Sequence, residues 1–337
     1  TELTAGTRSG EVLVGGALGL LLEESDDRGG LAPESFIHSS AGVMIGEVTA
    51  WSPHRGLVVE TRLDPAEQGF LDDHRIDGTP VLPGVMGMED FAEIAALAFP
   101  DRAVSSVENV DFLAPFKFYR DEPRVVTIEA QFSADGDDVV ADCRLLGSRR
   151  LPNQEEPQVT VHFTGRVRLT EETVEAPTME VPAGSTNGVT PDDIYAVYFH
   201  GPAYQVLDGA GRAAATAIGR FNGGLPDNHR PSGLQLLITP RLIELCFQTA
   251  GIWEMGIEGV MGLPMHVGRV SVFDAGVVGG QLVAVAEAQS DGSFRVRVAD
   301  EEGAVRVELD GYRTVQLPGA VSGDLLGPLR RAMELEE

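Results

Sequence analysis

Apolar positions along this chain follow two periods, and the two alternate in blocks. From about Val43 to Thr170 most segments repeat every second residue. Gly56–Leu63, Arg124–Phe132, Asp138–Leu146 and Gln158–Leu169 alternate or are rich in Val, Ile and Thr, as strands buried on one face are. One stretch breaks the rule. In Val85–Phe99 the apolar residues Met88, Phe91, Ile94 and Ala95 recur at helical spacing, and Pro100 stops the run. From about Thr190 to Leu317 the plan repeats. Strand-like segments Gly209–Phe221, Gly280–Ala288, Phe294–Val298 and Ala304–Leu309 surround one helical stretch, Pro240–Met255, with Pro at its first turn. Asp-Gly at 291–292 and 310–311 predicts turns.

The expected organisation is therefore two strand-rich units, 43–170 and 191–320, each a sheet curled around one apolar helix. A Pro-, Glu-, Thr- and Gly-rich linker, 171–190, separates them. No strict sequence repeat supports the pairing; the order of elements does. Residues 1–42 fit neither unit and resemble the tail of an upstream domain. Residues 321–337 read as a charged C-terminal helix or tail. The chain begins at Thr1 and is expected to be a piece of a longer polypeptide.

Charge narrows the partners. Lys and Arg total 25 against 52 Asp and Glu, a net charge of −27. Nucleic acid and anionic membrane would be repelled. An acidic partner would need a local basic patch or a covalent tether. The longest uncharged apolar run, Val12–Leu22, is too short to span a bilayer, and Glu2 and Glu11 stand where a signal peptide needs positive charge. Two cysteines, Cys143 and Cys246, exclude a disulfide framework and fit a reducing cytosol. Gly209-Ala-Gly-Arg-Ala-Ala matches a dinucleotide fingerprint by letter only, and His38, His54, His162, His229 and His266 show no ligand spacing.

Two places carry chemistry. In Asp73–Gly84, DHRIDGTPVLPG, Gly78 permits a backbone conformation that a side chain would block, and Pro83-Gly84 turns the chain into the first helix. The unpaired N–H groups at that helix start, near Gly84 and Val85, can polarise a carbonyl oxygen. His74, just upstream, is suited to take a proton from an adjacent carbon acid. In the second helix Glu244 and Gln248 are four apart and share a face, so Gln248 can orient the carboxyl. Leu242, Ile243, Leu245, Cys246 and Phe247 flank Glu244, and apolar surroundings are expected to raise its pKa and keep it protonated.

HRIDGTPVLPG resembles the HxxxGxxxxP motif of the dehydratase domains of type I polyketide and fatty acid synthases. Those domains are double hotdog folds (class α+β), each hotdog an antiparallel sheet wrapped round a central helix. The family's acid lies in DxxxQ on the second helix, matched by Glu244–Gln248 with Glu in place of Asp. The GYxYGPxF motif corresponds to Tyr198–Tyr204, with His200 for the second Tyr and Tyr204 for the Phe; His200 can still donate a hydrogen bond. LPFxW corresponds to Leu263–Val267, where only Leu-Pro survives and Met265 and Val267 read as pocket wall or core. The Phe-His-Gly-Pro wording and the Glu resemble iterative systems, including polyunsaturated fatty acid and enediyne-type synthases.

The resemblance implies dehydration of a (3R)-3-hydroxyacyl thioester to a trans-2-enoyl thioester. His74 would be the base and Glu244 the acid, with Gly78, Pro83, Gly84, Val85, Gln248, His200 and Tyr204 shaping the substrate or oxyanion site. Met88 and Phe247 would line the acyl pocket. It implies no metal or diffusible cofactor, a substrate carried on the phosphopantetheine arm of an acyl carrier protein in cis, and a cytoplasmic setting. It also implies neighbouring synthase domains, a ketoreductase-like one upstream among them, and pairing of two such chains. The sequence leaves open a product-template-like cyclase or double-bond isomerase on the same positions. It also leaves open a degenerate dehydratase acting as a structural or carrier-docking module.

Overall fold

In the computed structural model, residues 42–52, 56–149, 156–182, 188–273, 280–317 and 322–334 are described. The upstream tail expected over 1–42 lies almost wholly outside them.

Alternation decides the first half. β1 (Glu47–Ser52) and β2 (Gly56–Leu63) precede a short helix, α1 (Gly69–Asp72), and a small hairpin, β3 (Arg75–Ile76) and β4 (Thr79–Pro80). The central helix α2 (Gly84–Ala98) follows, then β5 (Ala103–Phe112), β6 (Arg124–Asp135), β7 (Asp138–Arg149) and β8 (Gln158–Thr170). Val126, Ile128 and Ala130 of β6 and Phe163, Val167 and Leu169 of β8 turn inward. They close over Met88, Phe91, Ile94 and Ala95 of α2, all four fully buried.

The second half repeats the order. After α3 (Pro191–Tyr195), β9 (Leu207–Ala213) and β10 (Thr216–Phe221) lead to the central helix α4 (Pro240–Trp253). β11 (Gly262–Val272), β12 (Val283–Ala288), β13 (Phe294–Ala299) and β14 (Val305–Gln316) complete the sheet. The strands run β1-β2-β6-β7-β8-β5-β11-β14-β13-β12-β10-β9, so equivalent edge strands β5 and β11 meet and fuse two curled sheets into one. This is the double hotdog.

Some local expectations change. Gly209–Phe221 is a hairpin that turns at Ala214-Ala215, because Ala214 takes a positive φ without any Gly or Asn signal. Asp291-Gly292 does turn between β12 and β13, but Asp310-Gly311 lies inside β14. Gly311 (φ +68) falls where the pairing with β13 skips from Phe294–Tyr312 to Val296–Leu309, which is a bulge. Pro177–Met179 of the linker hydrogen-bonds to Gly303 and Val305, and Met179 packs near Phe273. The C-terminal stretch forms α5 (Gly323–Met333), which buries Leu326, Leu329 and Met333 rather than trailing free.

Helix α2 also buries three acids that its apolar pattern hides. Glu93 accepts the N–H groups of Val43 (2.9 Å) and Met44 (2.7 Å). Glu89, one turn earlier, accepts those of Leu237 and Ile238, just ahead of α4. Asp90 is fully buried with both carboxyl oxygens unpartnered. Burial pushes all three carboxyls up, and mutual repulsion adds to it at Glu89 and Asp90. The folded state therefore holds protons that the unfolded chain would release. Stability should fall as pH rises from the ordinary carboxyl range through neutrality, by up to about 1.4 kcal/mol per pH unit for each proton retained. Thermal melts between about pH 5 and about pH 9 should show this decline, and Glu93→Gln should flatten it.

Candidate active site

The loop carrying His74 is built by its turns. Asp77 and Gly78 both take positive φ (+50° and +75°), which is the two-residue turn that closes β3 onto β4. Arg75 braces it, from Nη2 to Asp72 (2.6 Å) and from Nη1 to the Gly78 carbonyl (3.0 Å). His74 is thereby held with Nδ1 2.8 Å from the Val81 carbonyl. A carbonyl only accepts, so Nδ1 carries the hydrogen and Nε2 keeps its lone pair. Burial, with His200 adding to it, lowers the His74 pKa to about 4 against the opposing pull of Glu244. The imidazole is neutral at physiological pH.

At the start of α2, Met86 and Gly87 donate back to the Pro83 carbonyl, while Gly84 and Val85 have no helical acceptor. Gly84 lines the cavity, and nothing larger fits there. A Cβ on it would stand 2.7 Å from the Phe112 ring. Gly78, Pro83 and Val85 do not line the cavity, contrary to expectation. They shape the backbone that does.

Across the cavity, α4 presents Glu244, which is 5% exposed. Its Oε1 accepts from Gln248 Nε2 (2.9 Å) and lies 3.2 Å from His200 Nε2. The Gln248 amide is itself fixed. It donates to the Tyr204 carbonyl and accepts from the Tyr195 hydroxyl, both at 2.9 Å. Tyr195 in turn accepts the Leu207 N–H at 2.7 Å. One expectation is overturned here. Burial pulls the Glu244 pKa up, but the His200 hydrogen bond and charge, with His74 and Gln248, outweigh it and hold it below the ordinary value. Glu244 therefore rests as a carboxylate near neutral pH. Tyr204 is corrected too: it is fully buried behind His74 and does not line the cavity.

The two halves meet through backbone. His74 and His200 form an isolated antiparallel bridge, their rings 5.4 Å apart. The Asp73 carbonyl takes the Gly201 N–H (2.7 Å) and its carboxylate the Ala203 N–H (2.8 Å). His74, Gly84, His200, Glu244 and Gln248 thus share one cavity of about 540 Å³. Phe112, Phe163, Phe247 and Tyr312 form its apolar wall, with Phe247 stacked on Tyr312 at 4.5 Å. Leu263 and Pro264 join that wall, whereas Met265 is exposed and Val267 is core. Met88 does not reach the cavity, because it faces the interior of its own hotdog. Sequence reasoning missed Asp73, Tyr195, Phe112 and Tyr312. Only Asp73 had a signal, as a short acid directly beside His74.

Two family models cover most of the chain. One, described as the polyketide synthase dehydratase domain, matches residues 44–141, and one described as the polyketide synthase dehydratase N-terminal domain matches 175–324. The chain belongs to the polyketide synthase dehydratase family. Polyketide synthase GfsA of Streptomyces halstedii is 25% identical over 248 residues, and polyketide synthase ThaG of Burkholderia thailandensis 23% over 257. These matches take in 69% and 72% of this dehydratase but only 3% and 4% of the two synthases. Among solved structures, the dehydratase domain from the CurF module of curacin synthase covers 82% of this chain and 100% of its own (TM-score 0.66, 18% identity). That of PpsC from Mycobacterium tuberculosis covers 83% and 100% (TM-score 0.62, 21%). Two structures of the CurK dehydratase (TM-scores 0.66 and 0.63, each 14% identical and covering 83% of this chain and 99% and 100% of theirs) are inactive mutants. One has His replaced by Phe, the other Asp by Asn.

The neutral His74 sets the sign of one pH effect. Activity that needs its free Nε2 should persist on acidification until the ring protonates, so the acid limb of kcat/KM should fall near pH 4 rather than at the ordinary histidine value, in steady-state assays across that range.

Proposed function

We propose that this dehydratase domain removes water from a (3R)-3-hydroxyacyl thioester to give the trans-2-enoyl thioester. One observation carries the reading: the bare Nε2 of His74 and the carboxyl of Glu244 come from different hotdogs onto one apolar cavity. His74 takes the α-proton. The thioester oxygen gathers charge and receives the free N–H group at Gly84. The Cα–H electrons become the Cα–Cβ double bond as the Cβ–O bond breaks, and a proton from Glu244 leaves with the hydroxyl as water. The imidazolium and carboxylate then reset by passing one proton through solvent. Glu244 must be protonated when substrate is bound, and expulsion of water by the acyl chain favours that form. The inactive His and Asp mutants of the CurK dehydratase support the two roles.

The substrate would arrive on the phosphopantetheine arm of an acyl carrier protein in cis, inside a larger synthase of the polyketide type. A ketoreductase-like domain would supply the hydroxyl. No cofactor of the domain's own enters this chemistry, and homodimers in the cytoplasm complete the reading. Lys117, the chain's single lysine, lines the cavity and is offered as the cationic group for the arm's phosphate.

Mass spectrometry of a 3-hydroxyacyl carrier protein should show loss of one water with wild type. His74→Ala and Glu244→Gln should each slow it by about 10²–10⁴-fold. A cyclised or shifted product without water loss, or no turnover by a folded protein across several chain lengths, would sink the proposal. Lys117→Glu should raise KM for the carrier-bound substrate about tenfold while leaving a phosphate-free pantetheine mimic unaffected.

A further inference from the structure

We propose that His200 is the positioning residue of the acid, fixing Glu244 Oε1 so that Oε2 alone carries the transferred proton. This rests on the dehydratase reading and deepens it. Glu244 Oε1 takes both polar contacts, Gln248 Nε2 at 2.9 Å and His200 Nε2 at 3.2 Å. Its Oε2 is left for the cavity. His200 cannot swing away. Its ring stacks on Phe199 at 4.4 Å, stands edge-on to Tyr198 at 5.4 Å, and its backbone is bridged to His74. The side chain is 6% exposed, and Nδ1 is sealed without a partner, so Nε2 is its one working atom.

The two departures from the family pattern thus touch each other. Glutamate reaches one methylene farther than aspartate, and an imidazole ends nearer its backbone than a phenol, so the longer acid faces the shorter partner.

The groups that face this pair are few. His74 comes from the β3–β4 loop; Tyr195, Tyr198 and Tyr204 from the segment ahead of β9; Cys246 from α4; and Tyr312 from β14. Burial pushes every one of these phenols and the thiol up, so they stay neutral, and His74 is already neutral. Glu244 is therefore the group whose titration reports on this centre. His200 holds the carboxyl low against burial, so removing it should let the acid form survive to higher pH.

The test compares wild type, His200→Gln, His200→Tyr and His200→Tyr with Glu244→Asp, each checked for folding by thermal melting. His200→Gln should lower kcat about tenfold or more with KM within about twofold, and should move the alkaline limb of kcat/KM to higher pH. Glu244→Asp should recover part of the rate lost by His200→Tyr. Independently of turnover, ¹³C NMR of glutamate-labelled protein should show the Glu244 carboxyl titrating at higher pH in His200→Gln. A fall in kcat with both the alkaline limb and the carboxyl titration unmoved would overturn the proposal, as would wild-type kcat in His200→Gln. Absence of dehydration by wild type with a shifted carboxyl titration would instead remove the dehydratase reading and leave the pairing standing.

Discussion

Between β5 and β11 the backbone pairs antiparallel from Ser106–Ser271 to Asp111–His266, and each strand would otherwise be the open edge of its own sheet. The seam removes both edges at once. It is reinforced by side chains, His266 Nδ1 to Asp111 at 2.7 Å and the weaker Arg269–Glu108 contact at 3.8 Å. Because equivalent strands meet, the central helices α2 and α4 come into contact and the loop ahead of α2 reaches across to the second hotdog. The cavity exists only there. Neither half brings both His74 and Glu244, so the proposed chemistry depends on a backbone ladder between the two.

Electrostatics at the centre follow from how little water remains. An imidazole and a carboxyl pressed into apolar walls would both tend towards neutrality. The base does so. Glu244 does not, because Gln248 and His200 converge on one of its oxygens. This asymmetry lets two ionisable groups of one cavity hold different charge states, one environment tuned by loss of solvent and the other by fixed hydrogen bonds.

Much of this arrangement was legible in the residues. Val, Ile and Thr alternation marked most strands, helical spacing marked α2 and α4, and His74 with Gly78, and Glu244 with Gln248, pointed to the two halves of the centre. What stayed hidden has physical reasons. β5 and β11 form the seam, where side chains are partly buried on both faces and period-two alternation blurs. The turn at Ala214-Ala215 uses residues with no turn preference. The state of Glu244 could not follow from its flanking Leu, Cys and Phe, since the groups that reverse the effect of burial lie 4, 44 and 170 positions away along the chain.

A residue-by-residue echo emerges once α2 and α4 are matched by topology. His74 and His229, Gly78 and Gly233, Glu89 and Glu244, and Glu93 and Gln248 each lie 155 positions apart. Glu89, like Glu244, faces a loop from the opposite half. Yet its oxygens are taken by the Leu237 and Ile238 amides, and both ring nitrogens of His229 are engaged by Asn228 and Leu234. The molecule is a duplicated unit with one mouth open and its twin sewn shut. The stitches end one residue before Thr239, from which α4 and its acid begin. The idle copy has become the footing of the working one, and reopening it would loosen the ground on which the other stands.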